Sequence, residues 1–176
     1  MKQTRKIPHQ QGYETSNYYN SISSSYNELH GEEQLRKLKC IADTLKKYVG
    51  LTSRTRILDV GCGTGLSARV FKADLQGIEP AQKLAIQAQF PVIVANAQHL
   101  PFCDSFFDVV LCVTVLHNCK NPITAVKEMK RVGTKIWVIT ILKKSKKKIA
   151  LQKIIEKEFL VKELIEDNHD WIYVLE

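Results

Sequence analysis

The chain has 176 residues, 44% of them hydrophobic and 25% charged, which suits one domain that buries about two-thirds of its unfolded surface without disulfides or a metal. Its five cysteines (Cys40, Cys62, Cys103, Cys112, Cys119) contain no C-x-x-C, against a disulfide frame or zinc site; with no apolar leader and no run of 18 apolar residues, a soluble cytoplasmic protein is expected. The formal charge of +8 is concentrated, since residues 120–162 hold 13 Lys and Arg against three Glu, and charge of one sign in one stretch points to an anionic partner or a solvated run.

Residues 1–17 have little to bury and read as a flexible basic tail carrying Lys2, Arg5 and Lys6, with a single domain over 18–176. Tyr18, Tyr19, Tyr26 and His30 follow among Ser and Asn, a segment more loop than helix that could close over a site as a lid or simply pack. From Glu33, apolar Leu35, Leu38, Ile41, Ala42, Leu45 and Val49 recur at three and four, which predicts a helix with one buried face, ended by Gly50.

Residues 56–65, RILDVGCGTG, are a β-branched run that stops at alternating glycines. This is a buried strand turning sharply into a helix over about 66–73, with bare backbone brought close to a ligand. Unpaired N–H groups at that helix start would suit an anionic or strongly polar group. No Gly-Lys-Ser/Thr follows, so it is not a phosphate P-loop, and Leu66 stands where the dinucleotide fingerprint needs glycine.

Strands and helices then alternate: strand 75–79, helix 82–89, strands 92–95 and 107–115, helix 123–132, strand 136–142 and helix 149–159. Runs such as VVLCVTVL and IWVITIL suit strands covered on both faces of a parallel sheet. Residues 160–165 and 171–175, joined by a turn at Asp167-Asn168, form an antiparallel pair. The expected fold is α/β: a doubly wound, mostly parallel seven-stranded sheet with a C-terminal antiparallel hairpin and helices on both faces.

Five features in order carry a family resemblance: Tyr19, Ile22, Tyr26 and Leu29 in a Y-x-x-I-x-x-x-Y-x-x-L pattern; LDVGCGTG; Glu79 ending the second strand; A-x-x-L-P-F from Ala97; and F-D-V-V from Phe107. The chain resembles the class I S-adenosylmethionine-dependent methyltransferases, in the branch with quinone-biosynthesis enzymes and several small tRNA and ribosome methyltransferases. The resemblance implies S-adenosyl-L-methionine as cofactor and a loop of Gly61, Cys62, Gly63, Thr64 and Gly65 against its methionine part. Asp59 would hold the ammonium or fix the loop, and Glu79, beside Pro80, would accept from both ribose hydroxyls. Asn96, where relatives more often carry Asp, would accept from the adenine amino group, flanked by Ala97 and Gln98, and Thr114 would line the pocket.

The fourth strand ends CVTVLHN and lacks the N-P-P-Y/F signature of exocyclic amine and amide methylation. His117 is a general base for an oxygen or ring-nitrogen acceptor or a loop-bonding histidine, and Tyr26, with Tyr19, closes the site or packs. Lys143, Lys144, Lys146, Lys147 and Lys148 follow the fifth strand and should share the cofactor's edge of the sheet, an anion-binding face for RNA or a solvated run. The expected activity is methylation of RNA or the translation machinery, the alternatives being a small-molecule (quinone-like) methyltransferase or a non-catalytic cofactor-binding subunit. Residues 92–94 would form an apolar edge strand, where some RNA- and ribosome-directed relatives bind a small zinc-containing activator subunit.

Overall fold

The computed structural model describes residues 10–176, with side chains from residue 15 onward. Lys2, Arg5 and Lys6 of the expected tail lie outside the described residues.

Seven strands form one sheet in the order β3-β2-β1-β4-β5-β7-β6, with β1 Arg56–Val60, β2 Asp74–Ile78, β3 Val92–Ile93, β4 Phe107–Cys112, β5 Gly133–Leu142, β6 Val161–Glu166 and β7 Asp170–Leu175. The first five run parallel; β7 inserts antiparallel between β5 and β6. The seven-stranded sheet with its reversed terminal hairpin is as expected.

Side-chain alternation splits the core between the two faces. Leu58, Val110, Ile139 and Tyr173 meet α4 (Pro122–Val132) and α5 (Lys148–Glu158) on one side. Ile57, Val109, Val138 and Ile172 meet α2 (Tyr26–Leu45) on the other, through Leu38, Ile41 and Leu45. The N-cap of α4 is Asn121, whose side chain accepts from the Thr124 amide at 3.1 Å, and Pro122 takes the first helical position.

Three segments differ from expectation, one of them the helix expected at 82–89, which is only Gln82–Ala85 (α3). Gln10–Ser21 is helical (α1), and α2 begins at Tyr26, so part of the expected tail and most of the expected loop are helix. Hydrogen bonds from outside the segment hold it: Asn20 Oδ1 accepts from the Lys83 amide at 2.9 Å, and the Ser23 carbonyl accepts from Gln87 at 3.0 Å. The helix expected at 66–73 is only a 3-10 turn, Leu66–Arg69, because the chain must turn at once into β2.

Ion pairs fasten α2 to the C-terminal hairpin. Arg36 grips Asp167 with both guanidinium nitrogens, and Lys47 and Tyr48 both donate to Glu163. The roof of the site described next is thus hung from the end of the chain.

Candidate active site

The parallel strands end at a common edge, as in open α/β sheets whose ligands bind outside the strand C-termini. There, under the N-terminal helices, lies a cavity of about 730 Å³, a size typical of small-molecule sites. Gly61, Glu79, Pro80, Asn96, Ala97, Gln98, Thr114 and His117 line it, with Tyr19, Tyr26, His30, Glu33, Lys120 and Lys144. Residues far apart in sequence, singled out by the family resemblance, thus line one cavity.

Glu79 lines the cavity from the end of β2. It is 5% exposed, and its two oxygens accept from the amides of Gly63 (2.9 Å) and Ala81 (2.8 Å). Burial pushes its carboxyl up, while those two backbone donors pull it down. Asp59, also buried, is pushed up to about 6 by desolvation, opposed by the nearby Ser67 hydroxyl.

The glycine loop corrects the expectation of an anion cradle. The amides of Gly61 and Cys62 bond the Ile78 carbonyl, Gly63 bonds Glu79 and Gly65 bonds the Cys62 carbonyl. The following 3-10 turn is too short to project a helix dipole. With four of its five amides bonded and two carboxylates beneath, the loop favours a cationic ligand over a phosphate.

All three glycines have positive φ, 74° at Gly61, 57° at Gly63 and 77° at Gly65. A Cβ at Gly61 would come 2.4 Å from Val115 Cγ2, and one at Gly65 would come 2.7 Å from Ala88 Cβ. At Gly63 the nearest atom is the Tyr26 hydroxyl, at 3.4 Å. A side chain at Gly61 or Gly65 would therefore meet protein neighbours, while the Gly61 backbone itself lines the cavity. Gly61→Ala is expected to cost about 2–3 kcal/mol through left-handed strain and overpacking, measured as a lowered urea midpoint with an unchanged slope. Asp59, Cys62, Gly63, Thr64 and Gly65 stand behind the cavity wall; the Thr64 hydroxyl donates to Asn27 Oδ1 at 2.6 Å.

Tyr26 stacks edge-on against Tyr19 and tilts against His30, and the Tyr19 hydroxyl accepts from Asn118 at 3.2 Å. Burial and nearby Tyr19, Glu79 and Asp59 push the Tyr26 phenol far up. The phenol is therefore protonated at neutral pH. His117 sits on the 3-10 turn Leu116–Asn118 at the opposite end. Burial lowers its pKa, Asp170 opposes this, and Lys147, Lys37 and Lys144 add to it, leaving a neutral imidazole near pH 7.

The five lysines do not act as one cluster. Lys143 turns to the hairpin, donating to Glu166 at 2.7 Å with its ammonium 5.0 Å above the Trp171 ring. Lys147 donates to the His117 carbonyl at 2.9 Å. Lys144 reaches the cavity, and Lys146 and Lys148 are exposed. Lys120 joins Lys147, Tyr18 and Tyr19 around a vestibule beyond His117.

The sequence reading missed a buried polar group beneath this wall. Lys37, fully buried, lies 2.6 Å from Asp170 Oδ2, donates to Thr114 Oγ1 at 2.8 Å and lies 3.4 Å from Glu33. Thr114 has φ 63°, a conformation that costs a β-branched residue about 1–3 kcal/mol. A signal was available: Lys37 lies four residues before Ile41, on the apolar face of α2.

Residues 58–135 match the family model described as a methyltransferase domain. Curated relatives include a sterol 4-C-methyltransferase of Caenorhabditis elegans, 30% identical over 73% of this chain and 47% of its own. A demethylmenaquinone methyltransferase of Staphylococcus aureus is 30% identical over 65% and 53%, and a tRNA U34 carboxymethyltransferase of Nautilia profundicola is 26% identical over 61% and 41%. The chain spans about half the length of the curated relatives it matches. Among solved structures, magnesium protoporphyrin IX methyltransferase of Synechocystis with bound SAM superposes with a TM-score of 0.79, covering 98% of this chain and 99% of that one at 14% identity. A methyltransferase of Haloferax volcanii in complex with the Trm112 activator gives 0.71, covering 89% and 96% at 11% identity.

Proposed function

From a chain that has the fold of the class I S-adenosylmethionine-dependent methyltransferases and their methyltransferase domain over residues 58–135, we propose a methyltransferase that binds S-adenosylmethionine between Gly61, Glu79 and Gln98 and acts on RNA or a component of the translation machinery. The single observation that carries the cofactor assignment is the pair of buried carboxylates, Asp59 and Glu79, under a loop in which the amides of Gly61, Cys62, Gly63 and Gly65 are already bonded. A cationic ligand compensates them.

The cofactor supplies a sulfonium methyl that is already electrophilic, so the protein has mainly to align and to exclude water. Glu79 keeps free lone pairs toward the cavity for ribose hydroxyls, and the Asn96 amide, at the neighbouring loop, meets the adenine. Tyr19 and Tyr26 exclude water from above. His117 takes the acceptor's proton in its neutral form, an assignment that fits an oxygen or ring nitrogen of modest acidity.

The RNA reading is supported by Lys120, Lys144 and Lys147 beside His117, with exposed Tyr18 next to them as a stacking surface for a base. A small lipid-like acceptor is the second reading, supported by the sterol and quinone enzymes among the relatives. Labelled S-adenosylmethionine offered with total RNA, total protein and a lipid extract separates them. Label in RNA or ribosomal protein is expected; label only in lipid overturns the first reading, and tight cofactor binding with no transfer indicates a non-catalytic subunit.

Binding is expected to depend on pH through Asp59. A cationic ligand binds its ionised form, so in the free protein the group at about 6 must be deprotonated on binding. Affinity should therefore be constant above pH 7 and fall up to about tenfold per unit as pH drops below 6. Calorimetry in two buffers of different ionisation enthalpy should detect proton release near pH 6, and pH-independent binding between 5 and 7.5 would remove Asp59 from the site.

An accessory subunit is supported at the β3 edge, where Ile86, Ile93 and Val94 are 75%, 42% and 53% exposed. A partner adding a strand there would cover them. A purified chain that is monomeric, stable and fully active rules that subunit out.

A further inference from the structure

The buried charges Lys37 and Asp170 are closed off from solvent and stand behind the cavity wall without lining it themselves. A fully desolvated ion pair adds little stability over a well-packed apolar pair, so its retention calls for another role. The third partner of the ammonium indicates one. Lys37 Nζ holds Thr114 Oγ1 at 2.8 Å while Thr140 Oγ1 accepts from the Thr114 amide, also at 2.8 Å. Thr114 is thereby gripped from both sides in its left-handed conformation at φ 63°.

That turn has a definite consequence one residue later. It swings Val115 onto the glycine loop, so that Val115 Cγ2 fills the space where Gly61 would carry a Cβ, 2.4 Å away. The contacts run unbroken from the C-terminal hairpin (Asp170) through α2 (Lys37) and the end of β4 (Thr114, Val115) to the cofactor loop (Gly61). Asp170 depends on this arrangement, because neither of its oxygens has a hydrogen bond of good geometry among the described residues and Lys37 is its counter-charge.

We propose that Lys37, paired with Asp170, is a positioning residue: it holds the strained Thr114 turn that presses Val115 against Gly61 and so fixes the cleft where the methyl donor and acceptor meet. The proposal rests on this cleft being the S-adenosylmethionine site. The pair acts at a distance from the reacting atoms and touches no substrate.

The test compares wild type with Lys37→Met/Asp170→Leu, which removes both charges at similar volume, with Thr114→Gly, and with all three changes together. In the free protein, amide hydrogen exchange at Thr114 is expected to quicken about tenfold or more in the charge-free variant. Its Kd for S-adenosylmethionine should rise about tenfold, as one lost charge-assisted hydrogen bond implies. Glycine adopts the left-handed turn without strain, so the triple variant should bind within about threefold of Thr114→Gly alone. A merely structural pair would not show that non-additivity.

Thr114→Val removes the acceptor of the Lys37 bond, with the longer 3.4 Å contact to Thr140 Oγ1, and keeps the ion pair, so it tests the link even if the charge-free variant folds poorly. It too should loosen Thr114 exchange and cofactor binding. Wild-type exchange at Thr114 in the charge-free or Thr114→Val protein, or effects of the ion pair and of Thr114→Gly that simply add, would overturn the proposal. A wild-type protein that bound no S-adenosylmethionine would sink the cofactor assignment separately, because the exchange readout needs no cofactor.

Discussion

Replacing Glu79 with alanine is expected to weaken S-adenosylmethionine binding by about a hundredfold, because truncation removes charge-assisted bonds to the ligand and disorganises the cradle together. The carboxylate satisfies the amides of Gly63 and Ala81 while facing the cavity. Without it, both donors are left in a buried site, at about 1–3 kcal/mol each. Glu79→Gln, which can still accept one of those bonds, should lie between the two. Calorimetric Kd values for the three proteins provide the check. Binding by Glu79→Ala within threefold of wild type means the ligand does not use this wall. The melting temperature should also drop, since the loop loses its anchor whether or not the ligand is present.

Lys37→Met should destabilise the fold by about 3–5 kcal/mol, the usual cost of stranding one member of a buried ion pair. Asp170 is entirely buried, with Lys37 only 2.6 Å away. Against a total of about 5–15 kcal/mol for a domain, that loss is severe. Adding Asp170→Leu should restore most of it, because the uncompensated charge, not the missing attraction, carries the cost. Urea unfolding of the single and double variants measures both. If the single variant loses less than about 1 kcal/mol, water or a conformational adjustment must be solvating Asp170.

Much of the cofactor wall was legible in the chain because each of its parts is local. A β-branched run ending at Gly61 is a strand entering a tight turn whatever surrounds it. Glu79 stands at the end of the next strand, and the strand edge of a parallel sheet collects such residues automatically. The reading failed where local pattern and long-range contact disagree. Polar, Tyr-rich residues 18–30 carry little helix signal, and α1 and the turn after it are held by bonds to Lys83, Gln87 and Asn118 that no local pattern contains. The glycine spacing marked a tight turn, but only the folded structure shows that a side chain at Gly61 would meet Val115. Likewise five consecutive-looking lysines read as one basic patch, while the hairpin draws Lys143 away to Glu166 and Trp171.

By itself the sequence determined the sheet type and the strand that ends at the glycine turn, because hydrophobic period, glycine spacing and strand ends are properties of short segments. Only the tertiary structure decided the charge the cradle prefers, since that depends on which amides the surrounding backbone has already satisfied and on how deeply Asp59 and Glu79 are buried. It alone also decided that a lysine on α2, an aspartate at the hairpin turn and a strained threonine at the end of β4 form one unit. Burial turns an ordinary Lys and Asp into a pair that must find each other, and burial is a property of the folded whole.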